Sequence, residues 1–198
     1  SSSGQAKVRS GNTKVCFPNV TKNGRTVESI GSGDTPSYQH LTNGITAVED
    51  WGSATSLKKG FFSELTRLEN LPETWGNITS IGKSVFEGAS NLTSIPNTWG
   101  KVTSLGDGAF NRAGLTKIPD QWPAGMTYLP KDVFKSNKIK SVPDSWGDIK
   151  DIGNGAFGYQ DLSADDTFKV PNWTGVTSIG DQAFANTSSN RAKMDLPA

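Results

Sequence analysis

Few side chains in this sequence are equipped for covalent or metal chemistry: one histidine, His40, one cysteine, Cys16, and an acidic group at Asp161, Asp165 and Asp166. A lone imidazole can polarise a nucleophile. His40, however, stands beside Tyr38 and Gln39 in a chain with no Gly-x-Ser-x-Gly elbow, phosphate-binding loop or His-Glu-x-x-His run. A single Cys and a single His exclude an intrachain disulfide, a cysteine-based zinc site and a paired-histidine acid/base site. The three aspartates offer oxygens of the kind Ca²⁺ collects, roughly six to eight at a time, but their spacing fits no loop template, so a solvated acidic bulge is expected. Cys16, between Val15 and Phe17, reads as a small apolar residue of a packed terminal segment. The inventory predicts no enzyme and no cofactor.

The six tryptophans are more informative. Trp51, Trp75, Trp99, Trp122, Trp146 and Trp173 are separated by 24, 24, 23, 24 and 27 residues. Phe62, Phe86, Phe110, Phe134, Phe157 and Phe184 follow them by eleven residues, twelve in the case of Phe134. Two aromatic columns in one register demand a repeat in which each unit stacks on the next. The Trp column then has two readings: a strip of aromatic faces for sugar rings, or an internal packing ladder, which the invariant register favours.

The unit that must position these rings is clearest at Leu92, Ile95, Trp99, Val102, Leu105, Ala109 and Phe110. That spacing is neither the alternation of a half-buried strand nor sustained helical periodicity. It predicts one turn of a solenoid: short extended pieces around Ile95 and Val102 to Leu105, a Pro corner, a Gly corner, and a single helical or 3₁₀ turn before Phe110. Pro72, Pro96, Pro119, Pro143 and Pro171 share one column, where the missing N–H ends the ladder between coils. Gly82, Gly106, Gly153 and Gly180 share another, read as a sharp bend, with Pro130 in that column in the fourth unit. Leu, Ile, Val and Phe total 41 of 198 residues, near the roughly 20% at which disorder takes over, so a shared, stacked interior is needed to use them efficiently.

Residues 1–40 fall outside the repeat. Val20 to Val27, around Asn23 and Gly24, reads as a β-hairpin, and residues 1–40 as an N-terminal cap over the first coil, with 41–198 forming about six coils. Removing residues 1–40 is expected to cause aggregation, and a well-behaved monomer after that deletion would exclude the cap. Met194 to Pro197 reads as the opening of a further unit. The chain has no run of about 18 apolar residues and opens on Ser1, Ser2, Ser3 and Gly4, which suggests a soluble piece trimmed at both ends. With 20 Lys and Arg against 19 Asp and Glu and no basic block, nucleic acid is not an expected partner.

The segments from Ser104 to Phe110, Asp151 to Phe157 and Ser178 to Phe184, with Leu92 to Pro96, resemble the BspA-type leucine-rich repeats of bacterial surface proteins. The resemblance implies a leucine-rich-repeat solenoid, an extracellular or cell-surface location, and adhesion to host, matrix or neighbouring-cell proteins, with a glycan partner and a passive spacer as alternatives. The family often carries Cys two or three residues after the Phe, where Ala89 and Ala113 stand here. If the piece before each proline faces the concave side, its outward positions are Asn70, Thr74, Ser94, Thr98, Lys117, Gln121, Ser141 and Ser145. These are short polar groups without the Tyr, Trp or Arg anchors of tight interfaces, suited to weak contacts spread over a long surface. Thr-Ser pairs at 55–56, 79–80, 103–104 and 177–178 form a further polar column. Regular Thr rows order water in ice-binding solenoids, but Thr127-Tyr128 and Lys150-Asp151 interrupt this one.

Overall fold

The computed structural model of the chain describes residues 14–16, 29–30, 44–163, 165–185 and 193–195. Their strands are β1 (Lys14–Cys16), β2 (Ser29–Ile30), β3 (Ala47–Asp50), β4 (Ser56–Leu57), β5 (Ser80–Ile81), β6 (Ser104–Leu105), β7 (Tyr128–Leu129), β8 (Asp151–Ile152), β9 (Thr167–Lys169), β10 (Ser178–Ile179) and β11 (Lys193–Asp195). Every pairing is parallel, and the register advances one unit at a time: Ser56 opposite Ser80, and Ser80 opposite Ser104. Parallel strands two residues long that pair across a whole repeat are what stacked coils produce. The fold is a leucine-rich-repeat solenoid.

Each coil has two extended faces and one tight corner. The Ser–Ile face carries β2, β4, β5 and β6 in one sheet and β7, β8 and β10 in another. The pre-proline face carries β1 with β3 and β9 with β11, and between them the isolated bridges Ala47 to Asn70 and Ser141 to Lys169. Prolines deplete that ladder of donors, as the Pro column predicts. β1 and β2 therefore join the ladders of the first coil, and β11 pairs beside β9. The Val20 to Val27 hairpin and His40 lie outside the described residues.

The third side, the Phe corner, departs from the expected helical turn. Among the described residues there is no helix; the corner is a hydrogen-bonded turn. Its N–H groups alternate, one donating back along the chain to the residue three before, as Ser63 does to Gly60, and the next donating outward to the following coil. Gly60, Phe62 and Glu64 donate to the carbonyls of Lys83, Val85 and Glu87, and the same three-bond pattern recurs at every step to the sixth coil, at 2.6 to 3.0 Å. Aiming alternate N–H groups one way puts the first and third donors in the left-handed region, including Glu64 (φ 58°), Arg112 (φ 54°), Ser136 (φ 55°) and Tyr159 (φ 59°). A non-glycine residue there costs about 1 to 2 kcal/mol, which the ladder offsets.

The Gly column has a different cause from the expected bend. A Cβ at Gly106 would lie 2.3 Å from the backbone nitrogen of Lys83, so the column exists because successive coils touch there. Each of these glycines donates to the coil before it, Gly82 to Leu57 and Gly106 to Ile81, at 2.9 and 2.8 Å. Pro130 has no N–H and does carry a Cβ. No bond links β6 to β7, and the Ser–Ile sheet ends at that step.

The core is the paired aromatic ladder. Successive rings from Phe62 to Phe157, and Phe157 with Phe184, stack at 5.3 to 5.9 Å. Trp51, Trp75, Trp99 and Trp146 are buried, and the first three lie nearly parallel, at 16° and 1°. Leu162 and Phe168 turn inward from the insertion after Phe157, so that segment contributes to the core as well as carrying exposed Asp161 and Asp165. Cys16 corrects its expected role: β1 alternates exposed, buried, exposed, which puts Val15 in the core and Cys16 outside, with its thiol 3.6 Å from Glu49 Oε2.

Candidate functional site

The pre-proline face presents all eight positions read as outward-facing: Ser94 is partly exposed and the other seven are exposed. The chain puts them there because Leu68, Leu92, Ile118 and Val142 face the core. The structure divides them into two groups. Asn70, Thr74, Ser94, Thr98 and Lys117 line one groove of about 550 Å³, with Leu71, Pro72, Ile95 and Pro96 among its apolar residues and Glu69, Glu73 and Asn97 completing the lining. Gln121 and Ser145 instead line a second depression of about 400 Å³ with Trp122, Met126, Trp146, Asp148 and Lys150. Ser141 lines neither of these two and bridges to Lys169.

Some of these polar groups are already used by the fold. The Asn70 carbonyl accepts from the Val48 amide at 2.9 Å, the Thr74 carbonyl accepts the Trp51 indole N–H at 3.0 Å, and the Ser145 hydroxyl donates to the Asp120 carbonyl. The charged groups of Glu69, Glu73 and Lys117 have no ion-pair partner among the described residues. A few charges elsewhere do pair. Arg112 bridges Glu64 two coils back at 2.8 Å and approaches Glu87 at 3.6 Å, tying the Phe corner across three coils. Lys14 pairs with Glu49 at 2.8 Å; that bond raises the lysine and lowers the carboxyl from their ordinary ranges. Partial desolvation, then Glu49, raises the Cys16 thiol.

The acidic insertion is internally satisfied. Asp166 accepts from Lys140 at 2.7 Å and from the Ser163 hydroxyl and amide at 2.9 and 3.0 Å, which holds its carboxyl below the ordinary range. Among the described residues no His, Cys, Asp or Glu cluster is placed to hold a metal. The described residues contain no helix long and apolar enough to cross a membrane.

The Trp column is packing rather than a ligand strip along most of its length. Four of the six rings are buried, and only Trp122 and Trp173 are partly exposed. The Thr column is likewise structural: Thr79, Thr103 and Thr177 hydroxyls donate to carbonyls of Thr55, Thr79 and Lys150 one coil earlier.

Two residues that sequence reasoning missed hold the middle of the stack. Asn137 and Gln160 are 1% exposed and sit three residues after their Phe, where earlier coils have Ala89 and Ala113. Asn137 donates to the carbonyls of Phe110, Phe134 and Lys135 and accepts from the Leu115 amide at 2.9 Å. Gln160 donates to Phe134 and Phe157 and accepts from Ile139 at 3.0 Å. A side-chain amide in place of Ala at the Phe+3 position was the available signal.

Short parallel strands stacked coil on coil at a 23 to 27 residue period around a shared apolar core are the arrangement of a leucine-rich-repeat solenoid. The chain belongs to the BspA-type leucine-rich repeat family, whose repeat matches residues 55–191 in six copies. Repeats of this type generally serve as surface and protein-interaction modules. No curated protein matches the chain in sequence. Among solved structures, it is similar to a leucine-rich cell surface protein of Faecalibacterium prausnitzii A2-165, at 21% identity and TM-score 0.63, over 96% of this chain and 52% of that one. It also matches a leucine-rich repeat protein of Bacteroides ovatus ATCC 8483, at 16% identity and TM-score 0.45, over 93% of this chain and 67% of that one. A leucine-rich repeat protein of T. pallidum matches at 14% and TM-score 0.43, over 89% and 82%. The chain thus spans about half the length of the Faecalibacterium protein, and a likeness at this identity speaks to the fold alone.

Proposed function

We propose that this chain is a non-enzymatic binding module displayed at the bacterial cell surface, engaging an extracellular host, matrix or neighbouring-cell protein through its pre-proline face. One observation carries the reading: Asn70, Thr74, Ser94, Thr98 and Lys117 lie together along a single exposed groove, flanked by the carboxylates of Glu69 and Glu73, which have no ion-pair partner among the described residues. Side chains that stabilise a solenoid are consumed between coils; these are presented to solvent across three successive coils. The family and the cell-surface protein of similar fold support the location.

Short polar groups of this kind give weak contacts singly, so affinity would come from many coils engaged at once. The test is retention of extracellular matrix proteins on the immobilised chain. Retention that falls at least about tenfold when Lys117→Glu is combined with Ser94→Trp and Ser141→Trp supports the reading, a loss of roughly 1.4 kcal/mol. Retention unchanged by those substitutions removes this face from the mechanism. No retention of any extracellular protein favours a spacer that holds another domain away from the wall.

A further inference from the structure

The groove across the second, third and fourth coils has an uneven charge distribution. Glu69 and Glu73 stand on the second coil and Lys117 on the fourth, with uncharged polar groups and the apolar Ile95 and Pro96 between. None of the three charged groups is neutralised by an ion pair among the described residues. Parallel neighbours lie about 4.8 Å apart, so the carboxylates and the ammonium are separated by roughly 10 Å along the stack. A groove with a negative end, an uncharged polar middle and a positive end discriminates by charge order as well as by shape.

We infer that the groove takes an extended segment of a partner protein running along the stack, with a cationic side chain against Glu69 and Glu73 and an anionic one against Lys117. At about 3.3 Å per extended residue, the two charges sit two to four positions apart in the partner. Prolines at 72 and 96 have no N–H to offer, so backbone pairing contributes little on this side, and side-chain charge sets the preference. This inference rests on the pre-proline face being the contact surface proposed above and adds the chemistry of what it contacts.

The probes are three uncharged-flank nonapeptides carrying, three residues apart, Lys and Glu, Lys and Lys, or Glu and Glu, titrated into the full chain while backbone amide shifts are followed by NMR. The mixed peptide is expected to bind about fivefold more tightly than either like-charged one, the worth of one to two exposed ion pairs, and to move the amides of Asn70, Ser94 and Asn97. Lys117→Glu should transfer the preference to the Lys-Lys peptide, and Glu69→Lys combined with Glu73→Lys should transfer it to the Glu-Glu peptide. All three positions are exposed, so unchanged circular dichroism will confirm the fold. Shifts that map to the groove with no preference among the peptides overturn the charge reading and leave the face as a contact surface. Shifts confined to the Ser–Ile face, or no binding by any peptide, overturn the inference; the former also removes the pre-proline face from the proposed function.

Discussion

The step from the second coil to the third and the step from the third to the fourth use the same repeat and are held differently. In the first, Ser80 pairs with Ser104, Gly106 donates to Ile81 at 2.8 Å, and Trp75 lies parallel to Trp99 within 1°. In the second, Pro130 offers no donor, β6 and β7 do not pair with each other, and Trp122 meets Trp99 edge-on at 76°. What persists across both is the Phe corner, whose three bonds at the second step are as short as at the first, at 2.8 to 3.0 Å. Asn137 then adds a buried link from the fourth coil to Phe110 of the third at 2.8 Å. A solenoid can therefore lose one of its ladders at a step when another runs through and a satisfied buried amide spans the gap.

That comparison can be broken most directly at Asn137. Asn137→Leu removes the acceptor of the Leu115 amide and a donor shared by three carbonyls, and should cost on the order of 4 kcal/mol in chemical denaturation. A cost below about 1 kcal/mol would mean that the amide is not what spans the gap. Gly106→Ala drives a Cβ into the Lys83 backbone and should cost about 3 kcal/mol, whereas Pro130→Ala in the same column should cost less than about 1 kcal/mol. Equal effects would erase the distinction between the two steps.

A finer difference lies in the indoles. Trp51 donates to Thr74 ahead of it, Trp146 and Trp173 donate to Pro119 and Trp146 behind them, and the buried N–H groups of Trp75, Trp99 and Trp122 have no partner among the described residues. Trp51→Phe should therefore destabilise by about 1 kcal/mol more than Trp99→Phe, as read by paired unfolding curves. The smallest effect is in the insertion. The Asp166 carboxyl is held below its unfolded value, so its contribution is fully present above the ordinary carboxylate range and disappears as pH falls through the lower folded value. Asp166→Asn should lower Tm slightly near neutral pH and leave it unchanged in strong acid; a difference that grows on acidification would give the linkage the opposite sign.

The repeat length, both aromatic columns and the pre-proline face were legible in the sequence because they recur in register, and recurrence survives local substitutions. The reason for the Gly column was not. The letter glycine answers equally to a tight bend and to a neighbour that leaves no space for a Cβ, and only the stacking distance separates the two. Asn137 and Gln160 were hidden because a single polar residue among apolar columns looks like a lapse in the pattern until its partners are in place. Cys16 was misread because strand parity decides which of two adjacent residues turns inward, and three residues do not reveal it. The site was half legible: outward positions follow from alternation with the core, but their division between two depressions depends on how the fourth coil departs from its neighbours at Trp122, Pro123, Ala124 and Gly125.

The fifteen bonds of the Phe corner, three at each of five steps, all run from an N–H in the earlier coil to a carbonyl in the later one. Peptide dipoles aligned head to tail add, as they do in a helix, so this edge of the molecule is polarised along its length, with its oxygen end toward the first coil and its hydrogen end toward the sixth. Lys58 and Lys59 stand at the oxygen end, with Glu64 in the same corner, and Asp181 stands at the other end. Each further coil stacked in the same way would lengthen the column without reversing it.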